Sequence, residues 1–252
     1  MVPKPVLLYS GGIDSFLARY YLKTKFNIDP YLVYYCVRCR YSREELEFII
    51  GQLGSDIVID TTFNFGDIEE ESSFIPNRNL HFAMHAAAKY NKKVYIGGTA
   101  SDRVSDNNEE MMDTLTYVVN RSLSCEDIHI TSPFWNSHKC QLAENYVSEH
   151  DDKINAVLDL AFDTFSCYSP SIKSHIVNIK LNGAQRGRES KECLKCKACF
   201  RKGTILNSIG AFRSFKDRLI PKSYQEEFSV IPEENRNPRE KSTMDYIGKL
   251  LK

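Results

Sequence analysis

Long apolar runs are missing from this chain. None reaches the roughly 20 residues that a helix needs to cross a bilayer, and the first residues lack the apolar core of a secretory signal. No membrane partner is therefore expected, and a cytoplasmic location is the default. An excess of charge of either sign is missing too. Thirty-three basic residues match 33 acidic ones, which removes any bulk-charge argument for nucleic-acid or membrane binding and leaves only local patches. The Walker A spacing Gly-x-x-x-x-Gly-Lys-Ser/Thr is absent, as is His-Glu-x-x-His, and no internal repeat is present. The eight cysteines are not expected to form a disulfide scaffold in a reducing compartment.

What is present starts near the N-terminus. The apolar run Val6-Leu7-Leu8-Tyr9 leads straight into Ser10-Gly11-Gly12-Ile13-Asp14-Ser15. A glycine-rich turn between a buried strand and a helix points several backbone N–H groups at one place, and the positive end of the helix adds to them. The turn therefore reads as an anion site for the pyrophosphate end of a nucleotide. Further along, apolar stretches at 31–36, 56–60, 94–96 and 128–134 alternate with helix-spaced apolar residues at 46–53, 80–88, 109–120, 139–149 and 156–165. That alternation predicts an α/β fold, a parallel twisted sheet with helices on both faces. Ligands in such sheets lie beyond the carboxyl ends of the strands, where both the Ser10 turn and Gly97-Gly98 fall. Residues 168–192 read as loop. The last forty residues, rich in charge and carrying Pro221, Pro232 and Pro238, read as surface decoration with a short helix near 244–251.

Three thiols, Cys193, Cys196 and Cys199, recur at intervals of three. That spacing wraps a chain around one tetrahedral ion, and structural zinc is the expected occupant. Iron–sulfur ligation uses the same spacing but has no supporting redox feature elsewhere. The fourth ligand is Cys167, with Cys140 and His175 as weaker alternatives. Cys36 and Cys39 have the spacing of a redox pair but lack its usual context and read as ordinary thiols. His81 and His85, one helical turn apart, read as packing or surface histidines.

With the turn and the cysteines in view, the chain resembles the PP-loop N-type ATP pyrophosphatases, and within them the 7-cyano-7-deazaguanine synthases. The matching pieces are Ser10–Ser15, Ile75-Pro76-Asn77-Arg78-Asn79, Ile96-Gly97-Gly98 with Asp102, Ser132-Pro133-Phe134, Lys139, and Cys167-Tyr168 with Cys193, Cys196, Cys199 and Arg201. The resemblance implies an adenine nucleotide alpha-hydrolase-like, Rossmann-like sheet plus a small zinc-binding C-terminal module. It also implies a carbon–nitrogen ligase that activates a 7-deazapurine carboxylate with ATP and Mg²⁺, adds ammonia and dehydrates the amide to a nitrile. The implied domains are 1–166 for ATP, 167–212 for Zn²⁺, and 213–252 as a charged extension. Asp14, Arg78 and Lys139 are the implied catalytic residues. Ser10, Gly11, Gly12, Asp14, Ser15 and Gly97 would hold the nucleotide, and Arg78, Asn79, Asp102 and Asp106 the substrate. A homodimer is also compatible with the resemblance.

The chain departs from the family after Asp102, where Arg103–Glu110 replaces a Gly-Tyr-Pro-Asp-Cys-Arg-like segment, and at Tyr35–Arg40. Those departures keep two rivals in view. One is a PP-loop ATPase that thiolates or amidates another nucleobase or RNA, with a basic patch from Arg186 to Lys202 for the phosphate backbone. The other is a non-catalytic, zinc-stabilised scaffold for a protein partner.

Overall fold

The computed structural model describes residues 4–90, 93–102 and 105–251. The chain divides into two compact units, Met1–Ser137 and His138–Lys252, so helices α5 and α6 below belong with the cysteine-bearing segment.

The first unit is built on a five-stranded sheet of order β3-β2-β1-β4-β5, with all pairings parallel. Its strands are β1 (Val6–Leu8), β2 (Tyr31–Tyr35), β3 (Ile57–Asp60), β4 (Lys93–Tyr95) and β5 (His129–Thr131). Strands covered on both faces read as continuous apolar runs rather than alternating ones. Val6 and Leu7 in the central strand are fully buried, as are Leu32 to Tyr35 beside them. Helices α1 (Ile13–Thr24), α2 (Ser42–Leu53), α3 (Arg78–Lys89) and α4 (Glu109–Ser122) link the strands. They cover both faces of the sheet, as the alternation predicts. In α1, Ile13, Leu17, Ala18, Tyr21 and Leu22 are buried at helical spacing.

Strand order reverses between β1 and β4. The chain runs outward from β1 to β3 on one side and returns to the other side for β4. At such a switch point the loops after the two strands part and leave a crevice at their carboxyl ends. The Ser10–Ser15 turn follows one of these strands and Gly97-Gly98 the other.

The second unit holds α5 (Lys139–Glu149), α6 (Lys153–Phe162), β6 (His175–Leu181), β7 (Ala184–Ser190), α7 (Lys197–Ser208), β8 (Ala211–Arg213), α8 (Leu219–Ser229) and α9 (Pro238–Leu250). Residues 168–192, expected as loop, contain an antiparallel hairpin of seven-residue strands. Only one side of β6 is apolar and buried, at Val177, Ile179 and Leu181. Almost every residue of β7 is polar and exposed, so this edge strand gave no apolar alternation to read. Asn182 and Gly183, both at positive φ (51° and 77°), form the two-residue turn that closes the hairpin.

The last forty residues also differ from expectation. Helix α9 starts at a capping box of Asn237 and Glu240 with Pro238 in its first turn. It buries Tyr246 and Ile247 against Phe200 of α7, with Phe212, Phe215, Ile220 and Tyr224 around them. The Tyr246 hydroxyl donates to the Arg213 carbonyl at 2.6 Å. The apolar residues of this segment are few and widely spaced, so its charge content masks a packed face.

The Tyr246 ring lies directly on the backbone of Gly203, where a Cβ would collide with it. Gly203→Ala is therefore expected to lose about 1–3 kcal/mol of stability through overpacking, read as a lower denaturant midpoint at unchanged slope. An unaltered midpoint would mean that α9 does not dock on α7.

Candidate active site and metal centre

The turn after β1 is locked by its own side chains. The Ser15 hydroxyl, almost fully buried, donates to the Gly12 carbonyl at 3.0 Å and accepts from the Ser10 N–H at 3.2 Å. The Ser10 hydroxyl accepts from the Gly12 N–H at 3.4 Å. Gly11 takes φ +72°, and a Cβ there would stand 3.1 Å from Ile49 Cγ1 and 3.4 Å from Phe48 Cδ1 of α2. Glycine is thus required twice, for conformation and for space. Gly12 caps α1 without any side-chain bond, which leaves the helix N-terminus in the form that suits an anion. Asp14 is half-buried in the first turn. A Cβ on Gly97 would lie 3.1 Å from Asp14 Cβ and 3.2 Å from the Ser15 nitrogen. The two glycine turns, far apart in sequence, therefore meet at the switch point.

The start of α3 lies in the same unit. Asn77 takes the left-handed conformation (φ 55°) before Arg78. Arg78 Nη1 donates to the Tyr41 hydroxyl at 2.8 Å. Both the backbone N–H and the side-chain amide of Asn79 donate to Asp106, each at 3.1 Å. Asp106 is buried and serves the helix N-terminus from a separate loop. Asp102 accepts from the Thr99 N–H at 2.9 Å and from Asn107 Nδ2 at 3.3 Å, which closes the loop after β4. Residues 103 and 104 of the divergent segment lie outside the described residues. Lys139 is the first residue of α5, in the second unit, after His138, which forms a capping box with Gln141.

Several groups here carried no sequence signal. Glu45 of α2 accepts from the Tyr34 hydroxyl at 2.7 Å. Burial pushes its carboxyl up to about 7, against the opposing influence of Tyr34 and the nearby Arg78. A glutamate three and four residues before Phe48 and Ile49 could have been placed on the sheet-facing side of α2, but neighbouring Glu44 and Glu47 hide it. Aromatic residues gather beyond β2 and β3. Tyr35 stacks on Phe82 at 4.6 Å, and Phe63 stacks on Phe65 at 5.1 Å. His85 shares a hydrogen bond with the Tyr35 hydroxyl at 2.8 Å and sits among these rings, a packing role as expected. Burial would raise the Asp60 carboxyl, but bonds from Thr62, Tyr90 and Lys89 hold it well below the usual range. Cys39 is buried, shares a 3.0 Å hydrogen bond with Ser42 Oγ, and has its thiol pushed up by burial. It behaves as an ordinary thiol.

In the second unit the cysteines converge. The sulfurs of Cys167, Cys193, Cys196 and Cys199 all lie within 4.8 Å of one another, and among the described residues no other group of three or more has metal-ligand chemistry. Two sulfur pairs stand 4.0 Å apart, close to the edge of about 3.8 Å of a tetrahedron with 2.3 Å zinc–sulfur arms. Backbone N–H groups aim at the sulfurs, from Cys193 to Cys167, Lys195 to Cys193 and Cys199 to Cys196. The donor set and spacing fit a structural zinc ion. Cys167, rather than Cys140 or His175, is the residue that joins the three closely spaced cysteines in this group. Behind it lies a fully buried ionic network that the sequence did not reveal. Glu192 accepts from Lys202 at 3.2 and 3.3 Å, from Arg213 at 2.6 Å and from the Ser166 N–H at 2.9 Å. Burial lowers Lys202 to about 8 despite Glu192, while Arg213 and Lys202 hold the Glu192 carboxyl below its usual range against the effect of burial.

Among the described residues no helix is long and apolar enough to cross a membrane. Comparison with curated proteins returns no match. Among solved structures, the chain is similar to one described as a predicted subunit of tRNA methyltransferase from Methanocaldococcus jannaschii. The two share 19% identity over 56% of this chain and 72% of that one, at a TM-score of 0.42. The family described as queuosine biosynthesis protein QueC matches residues 49–210. That match covers more than half of the chain and takes in the whole cysteine quartet, so the chain belongs to the QueC family and is an ATP-dependent carbon–nitrogen ligase whose reaction type is the conversion of a 7-deazapurine carboxylate, through its amide, to a nitrile.

Proposed function

We propose that the crevice beyond β1 and β4 is where this chemistry takes place. The observation that carries the reading is the close approach of Gly97 to the first turn of α1, which makes one phosphate cradle out of two separate loops. In this reading the Gly11 N–H, the Ser10 hydroxyl and the positive end of α1 bind the ATP phosphates, while the Ser15 hydroxyl and the Gly12 N–H hold the turn in shape. A developing negative charge on the leaving pyrophosphate gains most from donors that are fixed before the reaction starts. The Ser10–Ser15 bonds fix them.

Asp14 cannot bind phosphate directly, since like charges repel. It would hold Mg²⁺, which usually reaches a protein through one or two carboxylates and the substrate phosphates. Bound there, the ion would neutralise pyrophosphate as it leaves. Arg78 would fork the substrate carboxylate, and Asp106 would hold Asn79 and the N-terminus of α3 in place for it. Asp102 would shape the substrate loop after β4. Cys167, Cys193, Cys196 and Cys199 would hold Zn²⁺ with no position left open for water, which makes its role folding rather than catalysis. The substrates are the 7-deazapurine acid, ATP and ammonia.

The test is 7-carboxy-7-deazaguanine with ATP, Mg²⁺ and ammonium, read by mass spectrometry for the nitrile and by AMP release. Nitrile formation is expected, and Asp14→Asn should lower AMP release by about 100-fold, the scale of one lost electrostatic stabiliser. AMP release that persists without nitrile would redirect the reading to another acceptor. No AMP release with any acid would favour a scaffold.

A further inference from the structure

The segment after β2 runs side by side with the segment that leads to Arg78. The Phe65 N–H donates to the Val37 carbonyl at 2.9 Å. Gly66 passes so close to Arg38 that a Cβ there would stand 2.7 Å from the Arg38 carbonyl oxygen. Arg40 then takes hold of the next stretch. Its Nη2 donates to the Glu70 carbonyl at 2.7 Å, to the Glu71 carbonyl at 3.0 Å and to Ser73 Oγ at 3.1 Å. Its Nε pairs with the Glu69 carboxylate at 3.2 Å, and its backbone N–H donates to the same carboxylate at 2.9 Å. The next residue, Tyr41, accepts from Arg78 Nη1 at 2.8 Å. Contacts thus advance in step along the two segments, from 37 and 65 to 41 and 78.

This arrangement is held, not loose. Arg38, Ser73 and Asn77 all take left-handed backbone conformations, with φ of 59°, 65° and 55°. Non-glycine residues persist there where the surrounding structure over-determines them. Tyr41 is buried and stands at the N-cap of α2, the helix whose Phe48 and Ile49 flank Gly11 of the phosphate turn. One helix therefore borders the phosphate turn and also presents the partner of Arg78.

We propose that Arg40 and Tyr41 are positioning residues that act through Arg78. Arg40 clasps the 69–73 turn ahead of α3, Tyr41 fixes the guanidinium, and together they aim Arg78 at the anionic group of the acid substrate. The proposal rests on the functional reading above, which gives that anion to Arg78. Arginine meets a carboxylate through a planar fork, so its orientation matters as well as its charge. A free arginine side chain loses rotamer freedom when it binds. One that is already held loses less, and the difference appears as tighter binding of the acid. The Arg40 side chain is itself 52% accessible, so altering it should leave α2 and the phosphate turn in place.

The experiment measures kcat/KM for 7-carboxy-7-deazaguanine and the KM for ATP, each with the other substrates saturating. Arg40→Lys keeps a cation beside the buried Glu69 carboxylate but offers one nitrogen where the guanidinium uses two. Tyr41→Phe removes only the hydroxyl. Each should lower kcat/KM for the acid about tenfold, the scale of one weakened hydrogen bond to a charged group, through KM and with the KM for ATP unchanged. Placed in an Arg78→Gln chain, the same changes should cost less than about twofold more, because residues that act through one partner are not additive. An equal loss in both backgrounds, or a KM for ATP that rises in step with that for the acid, would overturn the proposal. A second readout needs no turnover. Hydrogen exchange in the peptide covering 69–78 should quicken in Arg40→Lys while the peptide covering 10–15 keeps its wild-type rate. Unchanged exchange at 69–78 would overturn the proposal by itself. Quicker exchange there, with Arg78→Gln leaving kcat/KM for the acid at the wild-type value, would strike the functional reading and leave the hold of Arg40 on the turn standing.

Discussion

A Cys199→Ser chain is expected to be recovered without its metal and with its second unit unfolded. Four sulfurs within 4.8 Å of one another would enclose a zinc ion, and a serine hydroxyl is a far poorer ligand for it than a thiolate. Structural zinc contributes about 10–16 kcal/mol of apparent binding energy in small sites, on the scale of the whole stability of an ordinary domain. The loss should also spread. Two buried cations, Lys202 and Arg213, face one buried carboxylate, Glu192, and Cys199 is an electrostatic partner of both cations. Among the described residues, Arg213 Nε and Nη1 have no hydrogen-bond partner. Without a thiolate cluster to balance it, this excess positive charge becomes a cost. Cys140→Ser is the matched control, because Cys140 is equally buried in the same unit but stands outside the quartet. It should keep one equivalent of zinc by elemental analysis and lose at most about 1–3 kcal/mol, the scale of one imperfectly paired buried hydroxyl. A Cys199→Ser protein with a full equivalent of metal and native near-ultraviolet circular dichroism would remove the quartet from its structural role.

The parts of this molecule that were legible in the sequence share a physical cause. Strand β1 and, after Tyr31, strand β2 are buried on both faces, so they read as unbroken apolar runs, and the glycines at 11 and 97 mark places where a backbone must turn or be approached closely. Cysteines at fixed intervals advertise a common ion. What stayed hidden lacks a local pattern. Strand β7 is a polar edge with no buried face to show. Helix α9 anchors through Tyr246 and Ile247 in a charged context. The Glu192–Lys202–Arg213 network joins residues that look like surface charges until the fold removes their water. Arg78 and the Tyr41 hydroxyl to which it donates lie 37 positions apart, and nothing local to either announces the other. Asp106 shows the same limit from another side. Its match to a substrate-site acid came from position along the chain, whereas its contacts are those of a cap for Asn79.

Gly11→Ala is expected to cut ATP turnover by about 100-fold while leaving the protein folded. The backbone at this position sits at φ +72°, where an L-residue costs about 1–2 kcal/mol. That cost is tolerable for a chain of this size. The space is less forgiving. A Cβ would stand 3.1 Å from Ile49 Cγ1 and 3.4 Å from Phe48, so either α2 moves or the turn does. The turn is the softer of the two, because Ile49 is fully buried whereas Ser10 and Gly12 are not. A shift of a fraction of an ångström would turn the N–H groups away from the phosphates, and displacements on the scale of 1 Å are worth about 100-fold in rate. Gly183→Ala isolates the conformational cost, since Gly183 has φ +77° and open space around it. It should lower stability by a similar amount with AMP release unchanged. If Gly11→Ala released AMP at the Gly183→Ala rate, with equal affinity for ATP, the phosphates would have to be bound somewhere other than the turn after β1.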